Sequence, residues 1–165
     1  MKALFIGGIK SGKSASAERY TLALNSALPP LYLATSEPFD DTMRDRIERH
    51  RLQRSERFFT VEEPLNLLER VQTAASPVLI ECVTLWMNNM LHHGFAEEDI
   101  FAQVDRLLGL DKEIVFVLND VGGGVIPDNA LARAFVDISG NVAQRLGAGC
   151  DEVFHCVAGI ATRIK

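Results

Sequence analysis

The chain has 165 residues, of which 47% are apolar and 24% charged, and its formal net charge is −5. This composition suits a single globular domain over residues 1–165 with a sizeable core, and the acidic balance argues against a general nucleic-acid binder. No apolar run approaches the ~18 residues that a membrane span needs. The start, with ALFI followed closely by Lys10 and Lys13, is too short and too charged for a signal peptide, so the expected location is cytoplasmic.

Along the chain, short apolar runs rich in β-formers alternate with longer helical patterns. KALFI (2–6) is the first expected strand, and SASAERYTLALNSAL the first helix, beginning near Lys13. PLYLA (30–34) follows as a strand, then an arginine-rich helix from about Phe39 to Arg54. FFTVEE (58–63) is a further candidate strand, PLNLLERVQTA a helix, and PVLIEC (77–82) a strand. Trp86, Met87 and Met90 in TLWMNNML follow helical spacing and suit a core or a subunit contact. AEEDIFAQVDRLLG is helical, and EIVFVL (113–118) is a strand. Asn129 to Leu146 is helical, EVFHCVA (152–158) is a strand, and TRIK is a short last one. The main strands are apolar enough to be buried on both faces. With helices between them, they imply a mostly parallel sheet flanked by helices in a three-layer α/β fold.

The first strand runs into GGIKSGKS, residues 7–14. Gly7, Gly12, Lys13 and Ser14 satisfy GxxxxGK[ST], and the strand before and helix after are the required context. Glycines let the backbone turn tightly enough for several N–H groups to face phosphate oxygens. The helix N-terminus adds partial positive charge. Gly7, Gly8, Ile9, Lys10, Ser11, Gly12, Lys13 and Ser14 are therefore the expected cradle of a nucleoside triphosphate. In it Lys13 reaches the β- and γ-phosphates and Ser14 ligates Mg²⁺. A carboxylate at the end of a neighbouring strand completes such a metal site, and Glu81 is the candidate. Asp120 closes another strand, where ligands gather in open α/β sheets; metal, ribose and acceptor are all open to it.

RDRIERHRLQRSER (44–57) holds six of the chain's twelve arginines and is net +3. On a helix, Arg46, His50 and Arg54 share one face. One reading is a solvated helix laced with Glu–Arg pairs. The other is a pair of Arg forks binding polyphosphate on either side of a nucleophilic imidazole. Neighbouring arginines disfavour the imidazolium and keep the ring lone pair available to attack phosphorus.

Other features carry less. Cys82, Cys150 and Cys156 have no metal-like spacing and suit reduced, packed thiols. His92 and His93 suit the C-terminal dipole of their helix. Gly122 to Gly124, followed by Pro127, form a loop that either shapes an acceptor pocket or turns the chain into the next helix. Arg133 and Arg145 either contact phosphate or pair with Asp137.

With these residues in place, the chain resembles the bifunctional adenosylcobinamide kinase/adenosylcobinamide-phosphate guanylyltransferases of cobalamin assembly. The resemblance runs nearly end to end, through GGIKSGKS, YLATSEPFDDTMRDRIERH, LIECVTLWMNNML, NDVGGGVIPDNALARAFVDISGNVAQRLGAGCDEV and AGIATRIK. It implies a RecA-like P-loop NTPase fold and a homotrimer. It also implies two reactions: phosphorylation of adenosylcobinamide by an NTP (ATP or GTP), then transfer of GMP from GTP to adenosylcobinamide phosphate with release of pyrophosphate. The family's guanylylated histidine falls on His50, with Arg46 and Ile47 in their expected places, and its strand-end acid falls on Glu81. Lys10, Thr42, Asp120 and Ala143 depart from the family's commoner residues. Two other classes remain open to the residues alone: a monofunctional small-molecule P-loop kinase, and a nucleotide-binding regulator without catalysis.

Overall fold

The computed structural model of the protein describes residues 1–24, 26–37 and 57–165. The expected arginine-rich helix, with Thr42, Arg46, Ile47, His50 and Arg54, lies outside the described residues. Seven strands form one sheet: β1 (Lys2–Gly7), β2 (Leu31–Ala34), β3 (Phe59–Glu62), β4 (Val78–Glu81), β5 (Ile114–Asn119), β6 (Glu152–Val157) and β7 (Ile160–Arg163). The described helices are α1 (Lys13–Ala23), α2 (Leu67–Thr73), α3 (Val83–His92), α4 (Glu97–Gly109) and α5 (Ala130–Gly149).

The strand order is β3-β2-β4-β5-β1-β6-β7, parallel throughout except for the antiparallel β6–β7 pair. The parallel register aligns the C-terminal ends of the central strands: Gly7 of β1 stands opposite Asn119 of β5 and Cys156 of β6. Chain leaving those ends therefore gathers at the carboxyl end of the strands, where open α/β folds bind ligands.

The strands alternate between two cores because successive side chains leave a strand on opposite faces. Leu4, Leu33, Ile80 and Phe116 join a cluster with Leu67, Val71, Trp86, Met90, Val104 and Leu146 of the helical layer α2–α5. Ala3, Phe5, Leu79, Val115 and Val117 face the other way and pack with Ala17 of α1. Trp86, Met87 and Met90 are fully buried, so their helical spacing reflects core packing and not an exposed contact. Helix α1 lies close because its sheet face is small: Ser16, Ala17 and Thr21 are buried, and Thr21 Oγ1 folds back onto Ala17 O at 2.8 Å.

Two sequence expectations need correction. β6 is only partly buried: Val153 enters one core and Cys156 the other, but His155 and Val157 are exposed, as suits a strand near the edge of the sheet with only the short β7 outside it. The last strand also begins earlier than TRIK, at Ile160, since a two-residue turn at Ala158 and Gly159 folds it back directly onto β6.

Candidate functional site

β1 ends at Gly7, and the chain turns through residues 8–12 before α1 begins at Lys13. Gly12, at the N-cap, has φ +89°, a left-handed conformation that glycine adopts without Cβ strain. Ser11 N–H donates to Gly8 O at 3.2 Å, closing the loop on itself. Gly8, Ile9 and Lys10 are exposed, whereas Ser11 and Lys13 are buried. Lys10 also holds a positive φ, 57°. The Lys13 ammonium bends back over the loop and donates to Gly8 O at 3.2 Å. Ser11 Oγ is buried without a hydrogen-bond partner among the described residues.

Ser14, in the first turn of α1, donates its hydroxyl to Glu81 Oε1 at 2.8 Å. Glu81 ends β4, which is not the strand beside β1, as the sequence suggested: β5 lies between them. The carboxylate still reaches Ser14 because α1 crosses the sheet, packing against β1, β5 and β4. Both groups are partly buried. A hydroxyl and a carboxylate in contact at a helix N-terminus are hard oxygen donors, the pair that suits Mg²⁺ shared with phosphate oxygens.

Asp120 follows β5 and is exposed; its backbone N–H donates to Gly7 O at 3.0 Å, which ties its position to the loop. The chain then runs through Gly122–Gly124, where Val125 and Ile126 are exposed, and enters α5 through Asn129. Asn129 Oδ1 accepts from Leu131 N–H at 2.8 Å and Ala132 N–H at 3.2 Å as a helix cap. Arg133 donates to the carbonyls of Pro127 (2.9 Å) and Asp128 (2.6 Å). Arg145 pairs with Asp105 at 2.7 Å and lies over the Phe101 ring at 4.7 Å. Neither arginine pairs with Asp137 as the sequence had allowed.

Behind Glu81 the strand end is fastened by residues that sequence reasoning did not single out. Thr35, just past β2, is buried, and its hydroxyl lies 2.9 Å from Glu81 O and 3.0 Å from Cys82 O. Asn89, fully buried on α3, donates to Thr35 O at 2.7 Å and Pro64 O at 3.2 Å. The available signal was a polar residue at helical spacing from Trp86 on an otherwise apolar face. Cys82 turns the chain from β4 into α3 with φ 72°. Burial pushes the Cys82 and Cys156 thiols up from their ordinary value, against the nearby Lys13 charge. Burial likewise raises Cys150, to about 12. All three cysteines are free thiols, protonated near neutral pH. His93 faces Glu37, with Nε2 2.9 Å from Oε1, so its partner is a side chain and not the helix dipole alone.

A strand, a glycine loop and a helix opening on Lys13–Ser14, with an acid delivered from β4, define a P-loop nucleotide-binding fold. Solved structures share its shape. The flagellar accessory protein FlaH from Methanocaldococcus jannaschii superposes with a TM-score of 0.53 at 14% identity, covering 99% of this chain and 77% of that one. A solved ATPase domain gives 0.52 at 9% identity, covering 93% and 68%. A protein of Pyrococcus horikoshii OT3 gives 0.54 at 12% identity, covering 99% and 85%. The family model for cobinamide kinase / cobinamide phosphate guanyltransferase matches residues 3–164, and the chain belongs to that family. Among curated relatives, the bifunctional adenosylcobalamin biosynthesis protein CobU of Escherichia coli K12 is 37% identical over the full length of both chains.

Proposed function

We propose that the protein phosphorylates adenosylcobinamide with a nucleoside triphosphate and then transfers GMP from GTP onto the new phosphate through His50. Kinase and guanylyltransferase activities are those of the family. The observation that most supports the nucleotide site is the Ser14–Glu81 contact of 2.8 Å at the head of α1, directly after the glycine loop that turns at Gly12 with φ +89°.

In the kinase step, the acceptor hydroxyl attacks the γ-phosphorus and releases its proton to solvent, the bond to the bridging oxygen breaks, and the nucleoside diphosphate leaves. Backbone N–H groups of the loop and of the first turn of α1 that are not used within the loop bind the polyphosphate, and Lys13 exchanges Gly8 O for phosphate oxygens. Ser14 and Glu81 would hold Mg²⁺, whose role when bound is to offset charge on the β- and γ-phosphates. Asp120, whose backbone N–H bonds Gly7 O, would orient the acceptor or the ribose.

In the transfer step, an imidazole nitrogen of His50 attacks the α-phosphorus of GTP and pyrophosphate leaves. A phosphate oxygen of adenosylcobinamide phosphate then displaces the imidazole, giving adenosylcobinamide-GDP and free histidine. Arg46 and Arg54, on the face His50 would share on a helix, stabilise the displaced charge. A homotrimeric assembly in the cytoplasm completes the proposal, with light scattering as the check on the assembly.

The decisive experiment supplies GTP labelled at the α-phosphate in the presence of Mg²⁺. The expected result is protein-bound label that is acid-labile and alkali-stable, absent in His50→Ala, while that variant still forms adenosylcobinamide phosphate. Undiminished label in His50→Ala would overturn the covalent step. Phosphorylation without any label in the native protein would leave a monofunctional kinase, and binding without either product a regulator.

A further inference from the structure

The turn joining β6 to β7 touches the phosphate loop through its backbone. Val157 pairs with Ile160, so Ala158 and Gly159 form a two-residue hairpin turn, with φ 52° and 83°. Two successive left-handed residues are the geometry of a type I′ turn, which suits glycine or asparagine better than alanine. Gly159 N–H does not serve the β6–β7 ladder. It donates to Ser11 O at 2.9 Å, in the middle of the loop.

The two segments are also in van der Waals contact. A Cβ placed on Gly12 would lie 2.7 Å from Gly159 Cα, and one on Gly7 would lie 2.3 Å from Cys156 O. The end of β6 and its turn thus form a backbone wall against one side of the loop. A Cβ on Gly159 itself would meet nothing within 4 Å, so the requirement for glycine there is conformational, not steric.

We infer that Gly159 is a positioning residue for the nucleotide polyphosphate. The peptide plane explains how. In a trans peptide the C=O and the following N–H point in opposite directions. A hydrogen bond that draws Ser11 C=O toward the turn therefore turns Gly12 N–H away from it. The same bond polarises that peptide, making its N–H a better donor. The turn sets the orientation of one of the loop's phosphate-facing donors without touching the ligand. This role presupposes that the loop binds polyphosphate, as proposed above.

The test is GTP affinity, measured by titration calorimetry on Gly159→Asn, Gly159→Ala and Gly159→Val, with melting temperature recorded for each. Asparagine tolerates the left-handed region, alanine less so, and a β-branched residue least. The expected order of affinity is wild type close to Asn, then Ala weaker by about threefold or more, then Val weaker by about tenfold or more. Inorganic tripolyphosphate, used as a competitor, is expected to weaken in the same order. Arg163→Ala, which alters the same hairpin at the Glu152 ion pair, is expected to leave GTP affinity unchanged whatever it does to melting. If the Val variant does not fold, the Ala variant decides. Unchanged GTP affinity in a folded Gly159→Ala, or an equal loss in Arg163→Ala, overturns the inference. Failure of the wild type to bind GTP, or no loss in Lys13→Ala, would instead overturn the phosphate-loop assignment beneath it.

Discussion

Ser14 Oγ lies 2.8 Å from Glu81 Oε1, although 67 residues separate them in sequence. The contact joins the first turn of α1 to the end of β4 across the intervening β5. Thr35 and Asn89 fix the backbone behind Glu81, so the carboxylate is delivered by a braced strand end and not by a free loop.

Replacing either partner should remove one oxygen donor from the proposed Mg²⁺ site. Ser14→Ala and Glu81→Gln are each expected to lower Mg²⁺-dependent phosphorylation by roughly two orders of magnitude, the scale of losing a preorganised electrostatic contact. The double variant should be little worse than the poorer single one, because groups acting as a unit are not additive. Initial rates across a magnesium titration measure this. Strict multiplication of the two losses would mean that the residues act separately.

The loop's first two glycines should behave differently. A Cβ on Gly7 would come within 2.3 Å of Cys156 O and 2.7 Å of Ser11 Oγ, whereas one on Gly8 meets nothing within 4 Å. Gly7→Ala must therefore push β1 and β6 apart, and about 1–3 kcal/mol of stability is expected to be lost, as in other overpacked sites. Gly8→Ala should stay within about 0.5 kcal/mol of wild type. Denaturant melts of the two variants give the comparison; equal losses would contradict the backbone-contact explanation.

The segment Lys2–Ser14 could be read from sequence because the loop's chemistry fixes both residue types and spacing. The strands could be read because their apolar runs are short and bounded by turns. Strand order could not: each of β1, β4 and β5 is equally apolar, and nothing local says that β5 should lie between the other two. Glu81 was therefore recognisable as a strand-end acid but not as the acid one strand removed. Thr35, Asn89 and Gly159 escaped for a related reason. Their roles lie in bonds to backbone carbonyls far away in sequence, and a carbonyl leaves no mark on the residue that owns it.

Asn89 supplies a test of that backbone bracing. Its side chain is fully buried, with Nδ2 donating to Thr35 O and Pro64 O while Oδ1 has no partner among the described residues. Asn89→Asp keeps the shape but replaces the double donor with an acceptor facing two carbonyls. The loss should exceed that of Asn89→Leu. The leucine variant, which strands two carbonyls without burying a charge, is expected to cost about 1–3 kcal/mol or more. Chemical denaturation at neutral pH measures both, and an aspartate variant as stable as wild type would contradict the bracing role.

Glu63 gives a prediction with a pH sign. It is buried just past β3, and its carboxylate accepts from Leu65 N–H (3.2 Å), Asn66 N–H (2.8 Å) and Arg70 Nε (3.1 Å). Burial alone pushes its pKa up, but the backbone donors of Asn66 and Leu65, with Arg70, outweigh burial and hold it below its ordinary value of 4.5. A depressed carboxylate stabilises the fold fully above the unfolded value. That contribution fades as pH falls through the folded one. Glu63→Gln should therefore be less stable than wild type at pH 7, by about 1–3 kcal/mol for lost bonds to a charged acceptor. It should also be less sensitive to acid, so that the two melting curves converge as pH falls below the ordinary carboxylate range and through the lowered value of folded Glu63. The same donors pin the chain between β3 and α2, where Trp86 Nε1 also donates to Leu65 O at 3.0 Å and Asn89 reaches Pro64 O. Protonating Glu63 thus loosens the support of α3, the helix that begins one residue after Glu81's neighbour Cys82. Melting temperatures that stay parallel from pH 7 to pH 3 would show that Glu63 carries no charge-dependent share of that support.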